Sequence, residues 1–179
     1  IEQVLPALGV EGVQVREYER WAARLRRRHY RDLPEAYNDM TPAVVTRFKL
    51  HTVTLKLLED VCRARRGDDP LTVFEETFTD RTLLQEAVQR WAPGSFTESE
   101  VHKVHRWCTD QHFIRFDGGG ANEQDIPTFD REDDTLLLRI HQLVRGPLTV
   151  RHNRPLRYHP VMVDEAQDLS PIELAVVLD

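Results

Sequence analysis

A chain of 179 residues with 40% hydrophobic side chains is long enough to bury one sizeable core. Its formal charge of −6, with 30% of residues charged, excludes a uniformly basic nucleic-acid binder and confines any such contact to local patches. Cys62 and Cys108 are too few for a secreted disulfide framework and point to a reducing, cytoplasmic setting, and neither a membrane-length apolar run nor a signal-peptide pattern is present.

The chain begins at Ile1 without a methionine and ends inside an expected helix, so it reads as a piece of a longer protein. Val13-Gln14-Val15 is a short β-prone run, and a helix with Tyr18, Trp21, Ala22, Leu25 and His29 on one face follows it. Thr41-Pro42 supplies a cap and a first-turn proline for a helix reaching about Arg66, with Val45, Phe48, Leu55, Leu58 and Cys62 inward. After the turn at Gly67–Pro70 come two short helical patterns, one through Leu71, Phe74 and Phe78 and one through Leu84, Ala87, Val88 and Trp91. Thr97 and Glu100 have capping-box spacing and start a helix carrying Val101, Val104, Cys108 and His112. From Phe116 to Phe129 the letters read as a surface loop with a glycine run, after which Asp130 caps a helix through Leu137, Ile140 and Val144, stopped by Gly146-Pro147.

The last stretch carries the chemistry. Val161-Met162-Val163 has the continuous apolar pattern of a strand buried on both faces of a parallel sheet, and such sheets place ligands at the strands' C-terminal ends. Asp164 and Glu165 stand at that end. In phosphoryl transfer one acid helps hold the Mg²⁺ that bridges the phosphates while a second group handles the attacking water, and two adjacent carboxylates suit that division. Ser170-Pro171-Ile172-Glu173 then spells an N-cap serine, a first-turn proline and a reciprocal glutamate.

The run V-M-V-D-E-A-Q-D-L-S-P-I-E-L resembles the Walker B segment, or motif II, of the UvrD/Rep-type superfamily 1 helicases. The resemblance implies that Asp164 coordinates Mg²⁺ of Mg-ATP, that Glu165 is the base for the attacking water, and that Gln167 and Asp168 couple the nucleotide site to the DNA-binding parts. Residues 4–9 and 15–22 look like the stretch after motif Ia and into motif Ib of the HelD-like branch of that family, with Glu17 standing where the family has a threonine or serine. The fold implied is an α/β fragment that is predominantly α-helical. Residues 1–20 and 155–179 would belong to the first RecA-like domain of a P-loop NTPase, with parallel strands at the two ends, and 21–154 would form a helical inserted subdomain. No G-x-x-x-x-G-K-[ST] loop is present, and Gly118-Gly119-Gly120 lacks the Lys that must follow it. The piece is therefore expected to be inactive alone, and ATP and Mg²⁺ belong to the full-length enzyme.

Other constellations have two readings each. Tyr18 and Trp21 suit base stacking or core packing. Arg24, Arg26, Arg27, Arg28 and Arg31 suit phosphate contact or a solvated face, with Tyr18, Trp21, Arg24, Arg27 and Arg28 the candidate nucleic-acid residues. Arg63, Arg65 and Arg66 offer the same pair of readings, the plain one being a basic helix C-terminus. His102, His105, Cys108 and His112 line one helix, but the outer pair is ~15 Å apart by helical rise, which favours a core stripe over zinc. The expected partner is DNA, with RNA polymerase as the alternative that the HelD-like branch implies, in an ATP-driven remodelling role.

Overall fold

The computed structural model describes residues 16–116, 128–150, 154–158 and 161–179. The expected strand at Val13–Val15 and the glycine run lie outside them. Among the described residues the chain is predominantly helical: α1 Tyr18–His29, α2 Ala43–Leu50, α3 Thr52–Arg63, α4 Pro70–Thr79, α5 Arg81–Trp91, α6 Glu98–Phe116, α7 Arg131–Arg145 and α8 Pro171–Leu178. The sheet described is one antiparallel pair, β1 Thr149–Val150 with β2 Arg154–Pro155, in the register Thr149 to Pro155 and Val150 to Arg154. None of the described helices is long and apolar enough to cross a membrane.

Most helix starts follow their capping letters. Asp69 Oδ2 accepts the Thr72 amide at 2.9 Å, Asp80 Oδ1 accepts the Leu83 amide at 3.0 Å, and Glu100 Oε2 accepts the Thr97 amide at 2.8 Å. At the head of α7 the Asp130 amide donates to Asp133 Oδ2 at 3.0 Å. Gly146 ends the same helix at φ 95, a left-handed conformation that costs glycine nothing sterically, while its amide bonds the Gln142 carbonyl at 3.1 Å.

The single helix expected from Thr41 to about Arg66 is two. His51 leaves the helical region (φ −73, ψ 152), and its Nδ1 accepts the Val53 amide at 3.1 Å, so it caps α3 in place of continuing α2. Thr54 closes the break by donating to the Phe48 carbonyl at 2.6 Å. The change of axis turns Val53, Leu57 and Leu58 into the core and leaves Leu55 half-buried.

A second difference concerns Val161-Met162-Val163. These residues form no strand, and Val161 and Met162 are 41% and 78% exposed, where a buried parallel strand was expected. A strand of that kind needs hydrogen-bonded neighbours on both sides, and no described residue pairs with it.

The core is organised around α7, against which α1, α3, α4 and α8 all pack. One face of α7 sends Leu136, Leu137, Ile140 and Val144 into the main cluster with residues such as Phe48 and Phe74. From another face Leu138 meets Ala22, Leu25, Leu148 and Val176, with Tyr18 and Trp21 at the edge. A helix apolar on more than one face is stable only when covered on each of them.

The first turn of α7 carries buried charge. Lys49, 2% exposed, places Nζ 2.5 Å from both Asp130 Oδ2 and Asp133 Oδ1. Thr41 Oγ1 and Trp107 Nε1 also donate to Asp130, at 2.7 and 2.9 Å. Burial pushes the Asp130 carboxyl up, but the Lys49 charge and these hydrogen bonds outweigh it and hold it below its ordinary value. One residue on, Asp134 accepts from Arg26 Nε at 2.7 Å and from the Tyr37 hydroxyl at 2.5 Å.

Removing the cation would strand two buried carboxylates. Lys49→Met is expected to lower the unfolding free energy by about 3–5 kcal/mol at pH 7, as uncompensated buried charges do, measured by urea titration. A loss below ~1 kcal/mol would show the pair to be solvated.

Candidate nucleotide site

The acidic motif is built by a tight turn in front of a capped helix. Asp164 and Glu165 make the turn and Ala166–Asp168 form one turn of 3₁₀ helix, closed by Asp168 N to Glu165 O at 2.8 Å and Leu169 N to Ala166 O at 3.3 Å. Ser170 then caps α8: its Oγ accepts the Glu173 amide at 3.3 Å, and Glu173 Oε2 accepts the Ser170 amide at 2.7 Å. This is the reciprocal box written in the sequence.

Glu165 occupies the left-handed region at φ 50, ψ 45. For a residue with a Cβ this costs roughly 1–2 kcal/mol. The tight turn into the 3₁₀ helix imposes it, and the Glu165 amide donates back to Asp164 Oδ1 at 3.1 Å. Gln167 Nε2 donates to Glu165 Oε2, so the third of the four polar motif residues holds the second. Both acids are exposed.

Behind the turn α8 is anchored. Ile172 and Val176 are 0% and 2% exposed, Gln142 Nε2 donates to the Val176 carbonyl at 3.0 Å, and Arg139 bonds Asp179 Oδ2 at 2.5 Å. The carboxylates therefore project from a fixed helix start while the chain before them, at Val161 and Met162, is exposed.

Asp164 and Glu165 are hard oxygen donors, and Mg²⁺ is ordinarily held by one or two carboxylates completed by phosphate oxygens and water. The donor set fits that mode. No cluster of three or more His, Cys, Asp or Glu able to hold a metal exists among the described residues, so a cage made only of protein is not what these residues form.

The other sequence-selected residues fall into two groups. Tyr18 and Trp21 face the seam between α1, α7 and α8: the Tyr18 hydroxyl lies 3.0 Å from Thr135 Oγ1, and Trp21 Nε1 donates to the Tyr158 hydroxyl at 2.9 Å. Burial, and then the nearby Glu173 and Asp134 carboxylates, push the Tyr18 phenol up. Arg24 and Arg28 are exposed, and Arg27 is exposed with Nη1 3.5 Å from Glu35 Oε2. Arg26 departs from the expected solvated face. It is fully buried, ion-paired to Asp134, and donates to the Pro34 carbonyl at 3.0 Å.

Of the second basic run, Arg65 is taken by Asp68 and Glu76, at 2.8 and 2.6 Å, and Arg63 by Asp60 at 3.3 Å. The α6 histidines turn to separate partners, His105 Nε2 to the Thr79 carbonyl at 3.0 Å and His112 Nδ1 to Glu75 Oε2 at 2.5 Å. Cys62 and Cys108 are both buried, and burial pushes the Cys62 thiol up to about 11.

Sequence reasoning missed the pairing of His29 with His141, whose rings lie 4.6 Å apart across the α1–α7 seam. Nothing in the spacing of two residues 112 positions apart announces it. It also missed Lys49, which reads in the sequence as one more polar letter on a helix.

Comparison of the chain with family models, with curated proteins and with solved structures finds no match. The geometry of the acidic turn and its sequence are what a functional reading rests on.

Glu165→Gly removes the Cβ strain of the left-handed turn. It is expected to raise the unfolding free energy by about 0.5–1 kcal/mol, less than the strain itself because glycine also loses more backbone entropy on folding. Thermal denaturation of the two proteins measures it, and a loss of stability would mean that Glu165 does not hold a left-handed conformation.

Proposed function

We propose that this chain carries the acidic half of an ATP-hydrolysis site from a helicase or translocase that couples Mg-ATP hydrolysis to movement on DNA. The observation that supports it most is the run Asp164-Glu165-Ala166-Gln167-Asp168 with both carboxylates exposed at the start of the anchored, serine-capped α8. In this reading residues 1–20 and 155–179 belong to the first RecA-like domain and 21–154 to a helical insertion.

Asp164 would hold the metal and Glu165 would take the proton from the attacking water. Bound Mg²⁺ would supply charge neutralisation on the phosphate oxygens. Glu165 is suited to its part because Gln167 fixes one carboxylate oxygen while the other has no protein partner among the described residues. The same contact offers a way for Gln167 to sense whether Glu165 is engaged. The phosphate-binding loop would be supplied by residues outside these 179, since the sequence contains none.

For DNA the surface that fits is the exposed arginine face of α1, where Arg24 and Arg28 make no ion pair among the described residues. Guanidinium groups recognise phosphate through forked hydrogen bonds. Tyr18 and Trp21, held in the seam beneath that face, would position it more than stack bases.

In the full-length protein Glu165→Gln is expected to cut the ATP turnover rate by about 10²–10⁴-fold, the usual contribution of a general base, with nucleotide binding retained. Steady-state phosphate release with single-stranded DNA present measures it. Normal turnover in Glu165→Gln would remove the base assignment, and wild-type turnover that required RNA polymerase in place of DNA would replace translocation with polymerase remodelling.

A further inference from the structure

Where the C-terminus of α1 meets the C-terminal half of α7, a cleft of about 380 Å³ has His29, Tyr30, Asp69, His141, Arg145 and Thr149 among its lining residues. Two imidazoles face each other there, 4.6 Å between centroids and tilted by 56°, and Tyr30 stands edge-on to His141. Tyr30 Oη and His141 Nδ1 share a 3.0 Å hydrogen bond, and the Thr149 amide donates to His29 Nε2 at 3.4 Å. The amide contact needs a bare Nε2. The rings thus join three elements, α1, α7 and β1, that are far apart in sequence.

The charged groups facing the pair are mostly of the wrong sign for a second proton. Arg28 comes from α1 and Arg145 from α7. Against them stands Asp69 at the head of α4, whose Oδ2 already accepts from the Thr72 amide and hydroxyl.

We propose that the His29–His141 pair is an acid-sensitive latch. Neutral rings hold the end of α1 and strand β1 against α7, and protonation of either ring releases them. A charged His29 loses the Thr149 amide and faces Arg28; a charged His141 faces Arg145 and its partner ring.

Burial, then His29 and Arg145, push His141 down to about 4, and burial, then Arg28, lowers His29. A released histidine titrates near its ordinary value of ~6.5. The latched form, whose rings resist protonation, is therefore fully favoured above that pH. It loses ground as pH falls from about 6.5 towards 4, by up to tenfold in population per pH unit for each histidine. The device does not depend on the nucleotide reading.

The test is amide hydrogen exchange on the 179-residue chain at pH 7 and pH 5, corrected for intrinsic rates, comparing Tyr18–His29 with Glu98–Phe116. Protection of the first segment is expected to fall by at least about tenfold at pH 5 while the second keeps its protection. His141→Gln, which keeps an acceptor for Tyr30 but carries no charge, is expected to reduce the response to the share His29 contributes, and His29→Gln combined with it to flatten the response. An NMR titration of the wild-type imidazoles, independent of whether that variant folds, is expected to find His141 still neutral at pH 5. Equal loss of protection in both segments, or a His141 titrating near 6.5 in the folded chain, would overturn the latch.

Discussion

The ammonium of Lys49 lies buried between the Asp130 and Asp133 carboxylates at the head of α7, and most of the fold depends on that arrangement. Asp130 is also held by Thr41 before α2 and by Trp107 of α6, so a single carboxylate ties three parts of the chain to the head of α7. Slippage of Lys49 leaves buried carboxylates uncompensated, at a cost of several kcal/mol, while loss of Thr41 or Trp107 removes a hydrogen bond to a charged group, about 1.5–3 kcal/mol. Asp134 repeats the device toward α1, where Arg26 spans from the helix to the Pro34 carbonyl and lies over the Phe129 ring, 5.6 Å from its centroid. The acids also sit where the amide ends of α7 favour negative charge.

With its head fixed in this way, α7 becomes the common surface for the two regions of functional interest. The acidic turn is carried on α8, which lies on α7 through Ile172 and Val176 and is tied to it by Gln142 and Arg139. The arginine face belongs to α1, which meets α7 through Leu25, Arg26 and the His29–His141 contact. Val176 and Leu25 belong to one apolar cluster around Leu138, so α8 and α1 are packed into the same seam. A displacement at the acidic turn that moved α8 would have to be accommodated by the side chains under α1, since close-packed interiors shift as units.

Local chemistry was legible along most of the chain. Asp130, Thr97 and Ser170 announced helix starts because a capping residue acts through amides within three positions of itself. Gly146-Pro147 announced a stop for an equally local reason. Two of the places where local reading went astray involve choices that neighbours make. His51 divides a helix because its imidazole finds the Val53 amide and the core prefers Val53 and Leu57 to Leu55. Val161-Met162-Val163 has strand letters, yet a strand is a relation between segments, and no described segment pairs with it.

What the sequence by itself determined is therefore most of the helices, the caps at Thr97, Asp130 and Ser170, and the acidic run whose letters carry the nucleotide reading. Only the tertiary structure decided that Arg26 is a buried anchor while Arg24 and Arg28 stay exposed, and that Lys49 is a buried cation held by two carboxylates. It also decided that His29 meets His141. Each of those outcomes depends on which residue, often a hundred positions away, supplies the opposite charge, the hydrogen bond or the apolar cover, and chain-local periodicity contains no record of it.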